Sequence, residues 1–308
     1  MATKLAGKRN KIMANKFRQV VSVVIFGLGF ALLSILAYEV IHLSRENKAL
    51  RARIDTLSQE AGTPANSSQH ENRVDASDAL AEQVTDGNGN IFDTFILGLN
   101  TNSPKFYYKD DMGNRLGSLQ RLKDYLEGKG QELVFATNAG MYRPEGTPVG
   151  LLIINSTELG DLNLGDPLRG EEAGNFYLKP NGVFALNDKE AVVMESSHYS
   201  RWAGKAQVAF ATQSGPMLII DGVVHPQFQP QSLNKLIRSG VGIIGPDKVV
   251  FAISNTPVNF YDFAMLFQQQ FKCKNALFLD GVVSRMYLPG LQRRDIEGDF
   301  GGIIAVSK

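Results

Sequence analysis

Short apolar runs separated by turn residues dominate the chain from about residue 91 onward. Runs rich in Val, Ile, Phe and Tyr and bounded by Gly, Pro, Asn, Asp or Ser are typical of β-strands. The pattern predicts strands at 92–99, 105–108, 132–137, 151–155, 176–178, 183–186, 191–195, 208–212, 217–220, 249–254, 276–279 and 302–306.

Two segments carry a helical pattern instead. Ser118 is a suitable N-cap for a helix with leucines on one face, ending at Gly128 or Gly130. The second helix begins near Phe260, and its stripe is Phe263, Leu266, Phe267 and Phe271. Many strands and few helices predict an α+β fold: a single domain, 91–308, with one large mixed, mostly antiparallel sheet.

The N-terminal part is patterned differently. Residues 1–19 are basic, and 20–38 carry no charge. At about 1.5 Å per residue the uncharged run reaches across the hydrocarbon layer of a bilayer. Since basic flanks stay in the cytoplasm, we expect a single-pass transmembrane helix with the domain on the extracytoplasmic side. A cleaved signal peptide is the alternative, although no clear small-residue cleavage site follows.

A heptad pattern continues from this apolar run over 39–60. Leucines occupy one core position, and Val40, Asn47 and Ile54 occupy the other. The leucines are Leu36, Leu43, Leu50 and Leu57. One Asn in such a seam favours a parallel two-stranded coiled coil, so we expect a parallel homodimer. An ordinary amphipathic helix at the membrane surface is the alternative.

Composition limits the remaining possibilities. Residues 61–90 are rich in Ser, Asn, Gln, Asp and Gly, which predicts a flexible linker. The net charge of +1 gives no sign of nucleic-acid binding. Cys273 is the single cysteine, and we expect a buried thiol without a functional role. His198 and His225 have no neighbour at metal-ligand spacing, so we expect neither a metal nor a cofactor.

Three local motifs have ordinary structural explanations. Gly240-x-Gly242-x-x-Gly245 fits the dinucleotide fingerprint, but Pro246 and a strand follow where a helix is required. Thr212-Gln213-Ser214-Gly215 lacks the first glycine of a serine-hydrolase elbow. Asp221-Gly222 between two apolar runs indicates a type I′ hairpin.

Polar residues beside glycine recur at the ends of predicted strands. They are Asn138 with Gly140, Ser214 with Gly215, Arg238 before Gly240, and Asp280 with Gly281. Backbone and side chain can converge on a ligand at such positions. Each pair alone is as well explained by a turn, and for Asp280-Gly281 a hairpin is the direct alternative. Together they indicate a binding site.

These blocks also carry a family resemblance. Asn138-Ala139-Gly140-Met141-Tyr142, followed by Pro-Val-Gly-Leu at 148–151, resembles the Asn-Gly-Gly-(Phe/Tyr)-Phe…Gly-Leu signature of the phosphodiester glycosidase family. The blocks at 213–218, 238–243 and 279–281 match later parts of that signature in order. The runs at 174–184 and 258–264 are similar to those of a bacterial branch.

The resemblance implies hydrolysis of the sugar C1–O–phosphate bond of a phosphodiester. It implies that Asp280 is the nucleophile or the base, that Arg238 clamps the phosphate, and that Asn138 and Ser214 bind sugar or phosphate oxygens. The substrate-binding residues are then Gly140, Tyr142, Gly215, Gly281, Ser284 and Arg285. For a second carboxylate, both Asp262 and Asp221 stay open.

One block departs from the family pattern. Better-known members continue with Gly-Gly-Ser after Asp-Gly, whereas this chain has Val282, Val283 and Ser284. Arg285 is therefore expected to serve as a second forked donor to phosphate. The departure also supports an alternative function, a non-catalytic module that binds envelope glycans or proteins. A metal-dependent phosphodiesterase would need Asp/His clusters that the sequence does not display.

Overall fold

The computed structural model of the chain describes residues 72–73, 79–100, 103–167, 174–245, 247–280 and 283–308. In chain order the first nine strands are β1 (Asn72–Arg73), β2 (Ala79–Thr85), β3 (Ile91–Gly98), β4 (Lys105–Tyr107), β5 (Leu133–Asn138), β6 (Leu152–Ile154), β7 (Thr157–Gly160), β8 (Gly182–Asn187) and β9 (Ala191–Glu195). The others are β10 (Val208–Ser214), β11 (Met217–Ile220), β12 (Val223–Val224), β13 (Ser239–Gly245), β14 (Lys248–Ser254), β15 (Ala276–Phe278), β16 (Met286–Leu288), β17 (Arg293–Arg294) and β18 (Ile303–Ser307).

These strands form three sheets. The first has the order β1-β2-β3-β14-β13-β15-β11-β12, the second β7-β6-β10-β8-β9, and the third β17-β16-β5-β18-β4. Every pairing among the described strands is antiparallel. The prediction of mostly antiparallel structure with few helices is therefore confirmed, but the prediction of one large mixed sheet is wrong.

The three sheets share a core of phenylalanines. Phe95 of the first sheet stacks on Phe135 of the third sheet, with ring centroids 4.4 Å apart. Phe251 lies 5.0 Å from Phe135 and 5.8 Å from Phe184 of the second sheet, measured between centroids. Aromatic pairs at such distances add to the hydrophobic free energy of burial. The facing sides of the sheets are thereby held against each other.

Helices cover the outer faces. Helix α1 (Leu119–Glu127) begins at Ser118, whose Oγ accepts a hydrogen bond from Arg121 N at 3.2 Å, as the sequence predicts. Helix α2 (Ser196–Tyr199) lies beside the second sheet, and α3 (Phe260–Met265) continues as a π-helical turn to Gln270. Lys272 then adopts a left-handed conformation (φ 53°), which ends the helical segment.

The first sheet explains the glycines of the rejected dinucleotide motif. They lie within strand β13, not at the start of a helix. A Cβ at Gly242 would come within 2.7 Å of the Cys273 and Phe267 side chains, so this glycine lets the helical segment pack closely on the sheet. Cys273 is buried, and burial raises the pKa of its thiol to about 12, in agreement with a structural role.

The structure differs from the sequence pattern in two segments and agrees with it at the Asp221-Gly222 turn. The predicted linker 61–90 contains strand β2, which pairs along its whole length with β3 because Ala79 and Ala81 can enter the core. The predicted strand 176–178 is a 3₁₀ turn, Asn175–Tyr177. The Asp221-Gly222 hairpin is confirmed: Ile220 pairs with Val223, and both turn residues have positive φ.

The predicted cytoplasmic tail, transmembrane helix and coiled coil lie outside the described residues. Within the part of the chain that the structure describes, no helix has the length and apolar character needed to cross a bilayer.

Candidate active site

Asp280 lies where the chain passes from the first sheet to the third. Strand β15 ends at Phe278 and pairs with β13 and β11, whereas β16 pairs with β5 and β17 in another sheet. The strands on either side of Asp280 are therefore not partners. This excludes the simple Asp-Gly hairpin and leaves Asp280 at a junction between sheets.

A buried hydrogen-bond network fixes the backbone at this junction. The Ser239 Oγ donates to Asn138 Oδ1 at 3.1 Å and lies 3.3 Å from Asp280 O. The Ser284 hydroxyl donates to the same Asp280 carbonyl. Asn138 Oδ1 also accepts Arg285 N at 3.1 Å. These polar side chains are nearly inaccessible, so their bonds stabilise one arrangement of the segment around Asp280.

A cavity of about 750 Å³ lies against Asp280. It is lined by Met141, Tyr142, Arg143, Pro144, Val149, Gly174, Asn175, Phe176, Tyr177, Asp280 and Val283. Among these described lining residues Asp280 is the single acid and Arg143 the single base. A mainly apolar and aromatic cavity with few polar groups is typical of a small-molecule site.

Tyr142 lies within electrostatic range of Asp280. Burial raises the pKa of the Tyr142 phenol to about 12. The negative charges of Asp280 and Asp299 also raise this pKa, whereas the positive charges of Arg115 and Arg285 lower it. The phenol therefore stays protonated at neutral pH and is able to donate a hydrogen bond into the cavity.

Arg238, the predicted phosphate clamp, is completely buried. Its Nε donates to Val258 O at 2.8 Å, and its Nη2 donates to Asn234 O at 2.9 Å. Its Nη1 has no hydrogen-bond partner among the described residues. Burial lowers the pKa of this guanidinium to about 10, so it remains a cation. The described lining of the cavity does not include it.

The strand register nevertheless relates Arg238 to Asp280. Gly240 pairs with Phe278, and Leu279 N donates to Ser239 O at 3.0 Å. The next opposed pair in this register is Arg238 with Asp280, and opposed residues of an antiparallel pair share one face. The guanidinium itself turns toward Asn234 and Val258, away from a direct ion pair.

A stack of rings covers the guanidinium. Arg238 Cζ lies 3.7 Å from the centroid of Phe260, which stacks on Phe228 at 4.9 Å. Phe228 in turn stacks on His225 at 4.7 Å. The His225 Nδ1 accepts Gln227 N, and its Nε2 lies 3.0 Å from Lys179 O. Both ring nitrogens are thus satisfied in one neutral tautomer, with the proton on Nε2.

The neutral state of His225 predicts acid sensitivity. Burial lowers the pKa of His225 below its usual value of 6.5, so the unfolded chain takes up this proton first as the pH falls. The stabilisation is complete above pH of about 6.5 and is lost below it. We expect the Tm to fall between pH 7 and pH 5, and to fall less in His225→Gln. His198→Gln, at an exposed histidine, is the control, and an equal slope in all three proteins would contradict the argument.

The other predicted residues have different positions. Ser214 is buried and its hydroxyl donates to Leu279 O, which does not suit an exposed nucleophile. Gly140 N donates to Thr212 Oγ1 at 3.0 Å. A Cβ at Gly215 would lie 2.9 Å from Phe176 O, so Gly215 allows the wall of the cavity to approach β10. Arg285 is half-buried, and its Nη1 donates to Ser284 O. Gly281 lies outside the described residues.

Neither candidate for a second carboxylate lines the cavity. Asp221 is exposed in its hairpin turn. Asp262 is in the first turn of α3 and accepts a hydrogen bond from Asn88 Nδ2 at 3.3 Å. Within the described part of the chain, no three His, Cys, Asp or Glu side chains are placed to hold a metal ion.

Sequence reasoning missed several residues of the site. Ser239 is not among the predicted site residues. Side chains alternate along a strand, so Ser239 lies on the opposite face from Arg238, where it contacts Asn138. The cavity is lined by three further residues, Arg143, Phe176 and Tyr177. Phe176 and Tyr177 belong to the run 174–184 that resembles the family, whereas Arg143 lies outside that run. The signal that was available is the density of aromatic and glycine residues around 174–177.

The fold and the site together define a three-sheet, mostly antiparallel domain in which Asp280 is the one carboxylate among the described residues that line a small-molecule cavity. The profile of the phosphodiester glycosidase family matches residues 131–300, more than half of the chain. The chain therefore belongs to the phosphodiester glycosidase family. The Escherichia coli (strain K12) protein described as "Uncharacterized protein YigE" is 36% identical over 191 residues, covering 62% of this chain and 71% of that protein.

The fold is similar to that of a solved catalytic domain. The catalytic domain of zebrafish N-acetylglucosamine-1-phosphodiester alpha-N-acetylglucosaminidase, auto-inhibited by its pro-peptide, has a TM-score of 0.50 at 12% identity. The match covers 74% of this chain and 81% of that chain. A hypothetical protein from Synechocystis has a TM-score of 0.46 at 13% identity, covering 75% of this chain and 62% of that chain.

Proposed function

We propose that the protein hydrolyses the bond between sugar C1 and the phosphate oxygen of a glycosyl phosphodiester. Membership of the family supports this class of reaction. The observation that carries the proposal for this chain is that Asp280 is the single carboxylate among the described residues lining the cavity.

The chemistry of the leaving group is compatible with hydrolysis by a single carboxylate. Most glycosidases use two, one of which protonates the departing alcohol. A phosphate monoester has a second pKa of about 6 and leaves as a stable anion, so it needs no strong general acid. The site must instead supply negative charge near the oxocarbenium-like sugar and positive charge near the phosphate.

Asp280 supplies the negative charge in this proposal. Its backbone carbonyl accepts the Ser284 hydroxyl, which fixes the position from which the carboxylate acts. It serves as nucleophile toward C1 or as base for the attacking water. The protonated Tyr142 phenol donates a hydrogen bond to a phosphate or sugar oxygen.

Arg238 supplies positive charge from a buried position outside the described lining of the cavity. A buried cation without a complete set of partners attracts an anion over several ångströms because the surrounding dielectric constant is low. A direct contact of two Arg238 N–H groups with the phosphate, as expected from the resemblance, requires a movement of the side chain. Arg285 is the second candidate for that contact. The predicted membrane anchor would place the reaction outside the cytoplasm.

Release of free sugar from a panel of sugar 1-phosphodiesters tests the proposal. We expect chromatography to detect reducing sugar and phosphate monoester in equal amounts. A non-catalytic binding module is the second candidate, because the Val283 side chain lines the cavity where better-known members have glycine. Binding of the diesters by calorimetry without release of sugar would contradict hydrolysis and support that module.

A further inference from the structure

A second cavity adjoins the one at Asp280. It has a volume of about 460 Å³, its surface is mainly polar, and it is lined by Arg143, residues 148–150 and the loop 161–165. Both cavities are lined by Arg143 and Val149, so these two residues form their common boundary. Arg143 is half-buried there.

The loop of the second cavity is held by a buried side chain. Gln213 Oε1 accepts Asn163 N at 2.9 Å, and Gln213 Nε2 donates to Asn163 O at 2.7 Å. Asn163 Nδ2 donates to Val149 O at 3.0 Å, which ties the loop to the boundary. The second cavity therefore has a defined wall, because a buried and hydrogen-bonded amide stabilises one loop conformation.

Arg143 is oriented at this boundary. Its Nη1 donates to Pro148 O at 2.8 Å, which holds the guanidinium at the boundary. The planar guanidinium is the side chain best suited to binding phosphate oxygens in a defined geometry. Arg238 is enclosed and does not make such a contact in this structure.

The shape of a diester matches this order of sites. Its phosphate lies between the sugar and a second alcohol. We infer that Arg143 binds the phosphate, with the sugar beside Asp280 in the larger cavity and the second alcohol in the smaller one. This inference rests on the proposed function. Because the smaller cavity is polar, the second alcohol is a polyol or another sugar rather than an alkyl chain.

Kinetics of Arg143→Gln in the full-length protein test this inference. With a glycerol diester of the sugar that the wild type releases, we expect kcat/KM to fall about 10- to 100-fold, the effect of losing a charge-assisted pair of hydrogen bonds. Inhibition by the free sugar should change less than about twofold, since the sugar does not contact Arg143. We expect kcat/KM of Arg143→Lys to lie between that of the wild type and that of Arg143→Gln. Arg201→Gln, at an exposed arginine, is the matched control.

A comparison of substrates and a binding measurement complete the test. We expect the wild type to prefer the glycerol diester to the octyl diester, and glycerol phosphate to bind the wild type more tightly than Arg143→Gln by calorimetry. The inference would be overturned if Arg143→Gln weakened inhibition by the free sugar as much as it lowered kcat/KM for the diester. A preference of the wild type for the octyl diester would also overturn it. If no diester is hydrolysed the proposed function fails, and the glycerol phosphate titration still decides whether Arg143 binds phosphate. Unfolding of Arg143→Gln in circular dichroism would leave Arg143→Lys and the substrate comparison to decide.

Discussion

Replacing Asp280 with asparagine is expected to lower turnover of a sugar phosphodiester at least about a hundredfold, the scale of a lost base or electrostatic group. Asparagine has nearly the same shape, but it has no negative charge to stabilise the developing cation at C1. The Ser284 hydroxyl donates to the backbone carbonyl of Asp280, and the Ser239 Oγ lies 3.3 Å from the same carbonyl, so neither contact depends on the carboxylate. We expect the far-UV circular dichroism spectrum to stay unchanged.

Asp221→Asn is the matched control for this variant. Asp221 is an exposed turn residue with positive φ, a conformation that asparagine also tolerates. We expect turnover close to that of the wild type. Near-normal turnover in Asp280→Asn, or an equal loss in both variants, would remove Asp280 from the mechanism.

Replacing Gly140 with alanine is expected to destabilise the domain by about 3 kcal/mol, at the upper end of the usual range for overpacking. The new Cβ would lie 2.1 Å from Gln213 O and 2.7 Å from Thr212 Oγ1. The first of these is a backbone atom of β10 and cannot rotate away, so β10 and the segment after Asn138 must separate. For a domain of this size we expect Tm to fall by roughly 6–12 °C.

Thermal unfolding of Gly140→Ala beside Gly87→Ala measures this effect. A Cβ at Gly87 meets no atom within 4 Å, so this control tests the general cost of replacing glycine. We expect sugar release by Gly140→Ala to fall as well, because Tyr142 lies two residues beyond the displaced backbone. A Tm for Gly140→Ala equal to that of the control would show that β10 is free to move aside.

Local patterns in the sequence were sufficient for most strands and for Asp280. The apolar run that contains β15 ends just before Asp280, and Ser118 caps helix α1, as the sequence predicts. These features depend on neighbours along the chain. The same reasoning placed Asn138, Ser214 and Asp280 at strand ends. In the structure, Ser239 lies between Asn138 and Asp280 and contacts both. Ser214 contacts the carbonyl of Leu279, the residue before Asp280.

The partners of strands and the direction of long side chains depend on distant parts of the chain. A strand pattern does not reveal that β15 and β16 belong to different sheets, so a hairpin at Asp280 fits the sequence equally well. Arg238 looks suited to phosphate in the sequence, yet Phe260, in a later helix, encloses it. Strand β2 has too few large apolar residues to be recognised, and it is ordered by its pairing with β3.

Hydrolysis in water enriched in ¹⁸O tests the central claim most directly. The position of the label reports which bond breaks, since water adds to the atom that loses its bond. We predict that mass spectrometry will find the released phosphate monoester unlabelled, because cleavage occurs between C1 and oxygen. A monoester that carries ¹⁸O would show cleavage of the P–O bond and contradict the account.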